Sequence, residues 1–351
     1  MLRPLMLKGH ERPLTQLKFN REGDLIFSSA KDHHVSVWYS ANGERLGTYE
    51  GHHGSIWSVD VDNTTNRLAT AGADFEGKLW EAKDGKLLHT WVFEAPVKIC
   101  EFSPDNSKLL FLTDHTMGKM GTIFVYEHDY TKSEQSATPI LKIENEDDVS
   151  KRFVVASWSY GGKYIFTGHA NGEISKFDAQ TGNLVKNVRP FTEPVTDLQF
   201  SQDRSHFIAS SRDKSSCIFD LEDLKVIKRY SSETPINSAV ITPAKDFIIM
   251  GGGQDARSVT TTSMAEGMFD AMIYHKIFED MIGRVKGHFG PINCLAIHPE
   301  GTCYASGGED GYIRLHHFPK NYFDFYYDVE KTAMAESKQQ QEGEVSEEIT
   351  N

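Results

Sequence analysis

The chain has 351 residues, of which 39% are hydrophobic and 25% are charged, a composition typical of a folded globular protein. Its 37 basic and 50 acidic residues give a formal net charge of −13, which argues against a protein whose main task is to grip a phosphate backbone. The sequence has no apolar run near the ~20 residues of a membrane-spanning helix and no signal-peptide core. The four cysteines are scattered, which indicates reduced and buried thiols of an intracellular protein.

The sequence repeats itself, most clearly near its amino terminus. Three landmarks of the first unit recur 42 positions later, pairing His10 with His52, Asp32 with Asp74 and Trp38 with Trp80. Near the other end the same order returns as His288, Ser306 and Asp310. Weaker copies between them give seven units before about residue 318. Each unit is then about 45 residues long, the length of a four-stranded propeller blade.

Alternating apolar and polar residues predict short strands in every unit, separated by turns rich in Gly, Asn and Asp. In chain order, examples of these strands lie in residues 15–19, 35–38, 96–104, 154–158, 195–201, 236–243 and 292–298. Only three strands follow Gly287. We expect Pro4–Lys8 to supply the fourth, because pairing the first strand with the last blade would remove an unpaired sheet edge.

These observations predict an all-β fold. Residues 1–320 are expected to form a seven-bladed β-propeller closed by the amino-terminal strand. Residues 321–351 are expected to form a tail with an aromatic segment, a short helix within Asp328–Gln341 and an acidic disordered end.

The recurring polar residues predict buried hydrogen-bond chains inside the blades. Histidine can donate and accept, aspartate accepts, a hydroxyl does both and the indole N–H donates, so together they can satisfy one another. The expected structural sets are His10, Ser28, Asp32 and Trp38; His52, Thr70, Asp74 and Trp80; and His288, Ser306 and Asp310. In the last unit, His316 takes the sequence position of the tryptophan. We predict no catalytic residue, no cofactor-binding residue and no metal ligand.

Three other classes of protein use propellers. An enzyme would need a titratable cluster in the central channel or under a lid, and the inner strands are expected to offer none. A ubiquitin-ligase adaptor often carries Trp-Asp-Xxx-Arg at the end of a third strand, whereas this chain has Trp38-Tyr and Trp80-Glu there. A signalling scaffold remains an open alternative.

Function is expected where a unit departs from the repeat. Blade five places Asp203 in a turn and Asp220 at the end of its third strand, with Glu222 and Asp223 adjacent. These acids are either ordinary solvated surface or a docking site for a basic helix. Gln254, in the turn before an insertion in blade six, is a further candidate for partner binding.

Repeats that begin with Gly-His and end with Trp or Phe-Asp resemble the WD40 family. The resemblance is closer to one branch of it, carried by residues 7–16, 37–47, 274–278, 283–291, 305–318 and 322–325. Over residues 5–331 the chain is similar to the family of subunit i of eukaryotic translation initiation factor three, in a fungal form.

This resemblance implies a non-enzymatic scaffold subunit of a cytoplasmic complex. Members of the family bind subunits b and g of initiation factor three, and through the complex they support recruitment of the small (40S) ribosomal subunit and scanning. The resemblance implies no cofactor, no direct contact with nucleic acid and no membrane association.

Overall fold

The computed structural model describes residues 3–116, 118–145, 148–253, 269–329 and 331–332. These residues divide into two compact units, 3–316 and the part from 317 onward. The 28 strands of the described residues form seven antiparallel sheets of four strands each. This confirms the predicted seven-bladed all-β propeller.

The first four blades each use four consecutive strands. Blade one contains β2 (Leu14–Phe19), β3 (Leu25–Ala30), β4 (Val35–Tyr39) and β5 (Arg45–Tyr49). Blade two contains β6 (Ile56–Val61), β7 (Arg67–Gly72), β8 (Glu76–Glu81) and β9 (Leu87–Val92). Blade three contains β10 (Val97–Phe102), β11 (Lys108–Thr113), β12 (Thr122–Glu127) and β13 (Leu141–Glu144). Blade four contains β14 (Phe153–Trp158), β15 (Tyr164–His169), β16 (Ile174–Asp178) and β17 (Leu184–Val188).

The last three blades complete the ring. Blade five contains β18 (Val195–Phe200), β19 (His206–Ser211), β20 (Ser215–Asp220) and β21 (Val226–Ser231). Blade six contains β22 (Ile236–Ile241), β23 (Phe247–Gly252), β24 (Ala271–His275) and β25 (Met281–Val285). Blade seven contains β26 (Ile292–Ile297), β27 (Cys303–Gly308), β28 (Tyr312–His317) and β1 (Leu5–Lys8).

The hydrophobic core lies between neighbouring blades. The second strand of a blade is covered on both faces, and all six residues of β23 are buried. Outer strands such as β21 instead alternate between exposed and more buried positions. One cluster shows the packing between blades one and two, where Phe27 contacts the group that includes Val59 and Trp80.

The amino-terminal strand closes the ring as predicted. β1 pairs antiparallel with β28, with Leu5 opposite Leu315 and Lys8 opposite Tyr312. The strand begins one residue later than expected, since Pro4 has no N–H with which to extend the ladder. Pairing of the two chain ends leaves blade seven with four strands like the others.

The second unit is short in its described part. It contains a helix at Lys320–Phe323, and the ring of Phe318 stacks on that of Tyr322 with centroids 4.0 Å apart. Most of the helix and all of the acidic end expected from the sequence lie outside the described residues. Among the residues described, no helix has the length and apolar character needed to span a membrane.

Candidate functional site

In blade one, four polar side chains form a continuous buried chain of hydrogen bonds. Nδ1 of His10 lies 2.9 Å from Oδ2 of Asp32, and its Nε2 lies 2.7 Å from Oγ of Ser28. The indole N–H of Trp38 donates to the same hydroxyl at 2.8 Å. Both ring nitrogens of His10 are therefore occupied, with the indole donating to the hydroxyl, the hydroxyl to Nε2, and Nδ1–H to the carboxylate.

Blade two repeats this geometry. Nδ1 of His52 lies 2.8 Å from Oδ2 of Asp74, Nε2 lies 2.7 Å from Oγ1 of Thr70, and Trp80 donates to that hydroxyl at 2.9 Å. Burial opposes ionisation of Asp74, but the hydrogen bond and charge of His52 outweigh it and lower the pKa of Asp74. The carboxylate is thus held in its charged form by its partners.

Blade seven keeps the histidine, hydroxyl and carboxylate but replaces the tryptophan. Nε2 of His288 lies 2.8 Å from Oγ of Ser306, and its Nδ1 lies 3.1 Å from Oδ1 of Asp310. Nη1 of Arg314 lies 2.5 Å from Nδ1 of His288 and 2.8 Å from Oδ2 of Asp310. His316, which occupies the tryptophan position in the sequence, instead stacks on Tyr304. Burial, together with the charge of Arg314, lowers the pKa of His288.

The side chains of these networks are poorly placed for catalysis. A general base needs an accessible acceptor, whereas each network histidine already uses both ring nitrogens. His52, Asp74 and Glu76 carry donor atoms close enough together to surround a metal ion. Each is already partnered, however, since Glu76 lies 2.6 Å from Nζ of Lys78. The geometry favours a structural role for these side chains.

The central channel corrects one expectation from the sequence. The inner strands of all seven blades line a cavity of about 570 Å³, and titratable side chains project into it where none was expected. Nζ of Lys18 lies 3.0 Å from Oδ1 of Asp60, whose other oxygen accepts the N–H of Phe102 at 2.8 Å. Burial disfavours the charged form of Lys18, but Asp60 outweighs this and the pKa of Lys18 is raised.

Two further carboxyl groups lie along the channel. Glu101 accepts hydrogen bonds from the hydroxyl of Ser157 and the N–H of Trp158, both at 3.1 Å, and burial raises its pKa. Burial also raises the pKa of Asp197, which accepts from Gln199 at 2.8 Å. The sequence does carry a signal for Lys18, Asp60 and Glu101, because the fifth residue of the inner strand is polar in each of blades one to five. Those residues are Lys18, Asp60, Glu101, Ser157 and Gln199.

The acidic edge of blade five, which we define as Asp203, Asp220, Glu222 and Asp223, lies at the end of the blade opposite the turn between its second and third strands. Asp203 accepts the hydroxyl of Ser201 at 2.6 Å and the N–H and hydroxyl of Ser205 at 3.1 and 2.9 Å, and together these bonds lower the pKa of Asp203 to about 2. Asp220 accepts the backbone N–H groups of Glu222 and Asp223, each at 2.9 Å.

The carboxylates of Asp203 and Asp220 therefore use some of their lone pairs within their own turns. Glu222 and Asp223 are exposed, and the edge keeps a negative charge at the surface. Gln254, the third candidate for partner binding, lies outside the described residues.

The comparisons with known proteins agree on one family. The family model EIF3I matches residues 2–328. The chain is 52% identical over 343 residues to eukaryotic translation initiation factor 3 subunit I of Meyerozyma guilliermondii, covering 95% of this chain and 98% of that relative. It is 54% identical over 339 residues to the protein of the same name from Scheffersomyces stipitis, covering 93% and 97% of the two chains. For the protein of that name from Neurospora crassa the identity is 52% over 348 residues, covering 98% and 100%. The chain therefore belongs to the eukaryotic translation initiation factor 3 subunit I family, a family of translation initiation factors.

Proposed function

We propose that the chain is a non-catalytic scaffold subunit of the cytoplasmic initiation factor three complex. In this role it binds subunits b and g and, through the complex, supports recruitment of the small ribosomal subunit and scanning. Family membership carries the proposal, because identity above 50% extends over nearly the whole chain and its relatives. The net charge of −13 supports assigning contacts with RNA to partner subunits.

The acidic edge supports docking of a basic segment of subunit b on blade five. Asp203, Glu222 and Asp223 are exposed and Asp220 is half-buried within one pair of turns, and Nζ of Lys186 lies 3.4 Å from Oδ1 of Asp223. An exposed group of acids attracts a partner that carries Arg or Lys and fixes its orientation. Charge complementarity would therefore select the partner at this surface.

Apolar side chains next to the edge favour an amphipathic helix as the occupant. Ile227 of β21 is 52% exposed, and Ile277 and Phe278 of the turn between β24 and β25 are 48% and 39% exposed. The two segments are joined, since Nζ of Lys228 lies 2.8 Å from Oε1 of Glu279. A helix with one basic and one apolar face would match both features.

The buried hydrogen-bond networks support the proposal that the chain is not catalytic. The histidines of blades one, two and seven are saturated with hydrogen bonds, and the carboxylates of the channel are held by neighbouring blades. A reactive site instead needs a titratable group free to contact a substrate. These described side chains are therefore better suited to stabilising the ring than to contacting a substrate.

The docking proposal is tested by measuring the affinity of purified subunit b for the wild type, Asp220→Asn and Asp220→Lys. The asparagine retains an oxygen that can accept from the turn, so it removes the charge with little effect on folding. We expect Asp220→Asn to weaken binding severalfold and Asp220→Lys by about tenfold or more.

Asp84→Lys provides the matched control, because Asp84 is an exposed acid in the turn between the third and fourth strands of blade two. This variant should bind as the wild type does. Wild-type affinity in Asp220→Lys would exclude the acidic edge as the docking site, and a loss in Asp84→Lys as well would indicate a general effect of charge.

A further inference from the structure

Adjacent blades are joined around the channel by a recurring hydrogen bond. The second residue of an inner strand donates its side-chain hydrogen to the carbonyl oxygen of the first residue of the next inner strand. We call the boundary between two adjacent blades a seam. Four seams have this bond: Thr15 to Ile56 at 2.7 Å, Thr196 to Ile236 at 2.9 Å, Asn237 to Ile292 at 2.9 Å and Asn293 to Leu14 at 3.0 Å. They lie between blades one and two, five and six, six and seven, and seven and one.

Other side chains accept from the backbone of the next inner strand. Three of these acceptors are the third residue of their strand. The N–H of Val59 donates to Gln16 at 2.9 Å, that of Cys100 to Ser58 at 3.1 Å and that of Leu295 to Ser238 at 3.2 Å. From the fifth position, Asp60 and Glu101 accept from blades three and four, as described above. Six of the seven seams therefore contain at least one hydrogen bond between inner strands.

The seam between blades four and five is the exception. Its second and third positions are Val154 and Val155, which cannot form these bonds. The N–H of Leu198 instead donates to Asp197 of its own strand at 2.8 Å. Within residues 148–253, all of which are described, no hydrogen bond joins β14 to β18.

Apolar contacts take the place of the missing bonds. The ring of Phe166 in blade four lies 5.7 Å from that of Phe200 and 5.2 Å from that of Phe207 in blade five. Gly168 permits close approach of Val195, whose Cγ1 would lie 2.5 Å from a Cβ at that position. A polar bond is present farther from the channel, where Nζ of Lys176 donates to the carbonyl of Leu221 at 2.8 Å.

We propose that the ring opens first at the inner strands of blades four and five. Each hydrogen bond between inner strands adds to the free energy needed to separate two blades, whereas β14 and β18 are held to each other without one. Strain on the ring would accordingly be relieved at this seam by separation of β14 from β18 while the other six seams stay joined. This inference concerns the ring itself and does not depend on docking at the acidic edge.

Hydrogen exchange of the full-length chain tests the proposal. In the wild type, backbone amides of residues 153–158 and 195–200 should exchange faster than those of residues 14–19 and 56–61. Val154→Thr places a hydroxyl at the position that Thr15 and Thr196 occupy in their strands, with almost unchanged side-chain volume. The new hydroxyl should donate to the carbonyl of Val195 and slow exchange at residues 195–200 by about fivefold, as expected for one added hydrogen bond.

Thr196→Val is the matched control, since it removes the corresponding bond between blades five and six. It should accelerate exchange at residues 236–241 by a similar factor. In the wild type, equal exchange rates at residues 153–158 and 195–200 and at residues 14–19 and 56–61 would overturn the proposal. A Val154→Thr variant with unchanged exchange at residues 195–200, measured beside an effective Thr196→Val, would also overturn it.

Discussion

Blade two and blade five share one topology but stabilise it differently. In blade two, a single buried chain of hydrogen bonds links His52, Thr70, Asp74 and Trp80. In blade five, Phe219 takes the tryptophan position and stacks on Phe207 with ring centroids 5.0 Å apart. Asp213 takes the position of Asp74 and accepts from the N–H of Ser215 at 3.0 Å. The comparison shows that a repeat can exchange a polar network for an aromatic core when its remaining polar groups find partners.

The exchange changes what the surface of the blade can do. Blade two uses Asp74 inside the blade, so the charge of that residue is held by His52. Blade five has an aromatic core and carries Asp203 and Asp220 at the opposite end, where they bond only to their own turns. Because no side chain inside the blade holds their charge, these acids remain available to a partner.

The largest expected effect that separates the two blades comes from Asp74→Ala. The substitution leaves Nδ1 of His52 and the N–H of His53 without their acceptor. We expect the free energy of unfolding to fall by about 1–3 kcal/mol, as for other broken buried networks. Chemical denaturation measures it, and Asp84→Ala should leave the value unchanged within about 0.5 kcal/mol. An Asp74→Ala variant with the wild-type free energy of unfolding would show that the network does not stabilise blade two.

A smaller effect is expected from the same substitution in blade five. Asp213 supports its turn through Ser215 and the N–H of Thr192, but no histidine depends on it. Asp213→Ala should therefore cost about 0.5–1 kcal/mol in the same denaturation experiment. A loss as large as that of Asp74→Ala would show that the two blades are stabilised alike.

The smallest expected effect concerns pH and extends the comparison to blade seven. Burial lowers the pKa of His288 below its ordinary value of 6.5, so the folded chain binds this proton more weakly than the unfolded chain. Stability from this residue is full above pH 6.5 and is lost as the pH falls below it. The wild-type melting temperature should decline between pH 6.5 and 5, and His288→Gln should decline less. His89, His128 and His206 have pKa values shifted in the same direction and should leave part of the decline in that variant. An identical decline in both chains would contradict the assignment to His288.

Much of the fold could be predicted because the spacing is regular. His10, His52 and His288 each precede their aspartate by 22 residues, and that separation defines the length from the entry loop to the third strand. The count of strands after Gly287 left one position vacant, which predicted closure by the amino-terminal strand. Both signals are local and need no knowledge of distant contacts.

The parts that escaped prediction depend on how blades face one another. Arg314 lies two residues before the tryptophan position, and only the folded blade shows that its long side chain reaches His288. The channel charges are polar positions in alternating strands, which resemble ordinary solvent-facing residues. Closure of the ring turns Lys18 and Asp60 toward each other. Likewise, the lack of a hydrogen bond between β14 and β18 becomes visible only when the inner strands of all seven blades are compared.

The role proposed for this ring is that of a scaffold within initiation factor three. It is tested most directly by purifying the tagged chain from cell lysate and quantifying the co-purifying proteins. We expect subunits b and g and proteins of the small ribosomal subunit with the wild type, and a marked loss of subunit b with Asp220→Lys. A folded wild-type chain that retains none of these proteins would contradict the account.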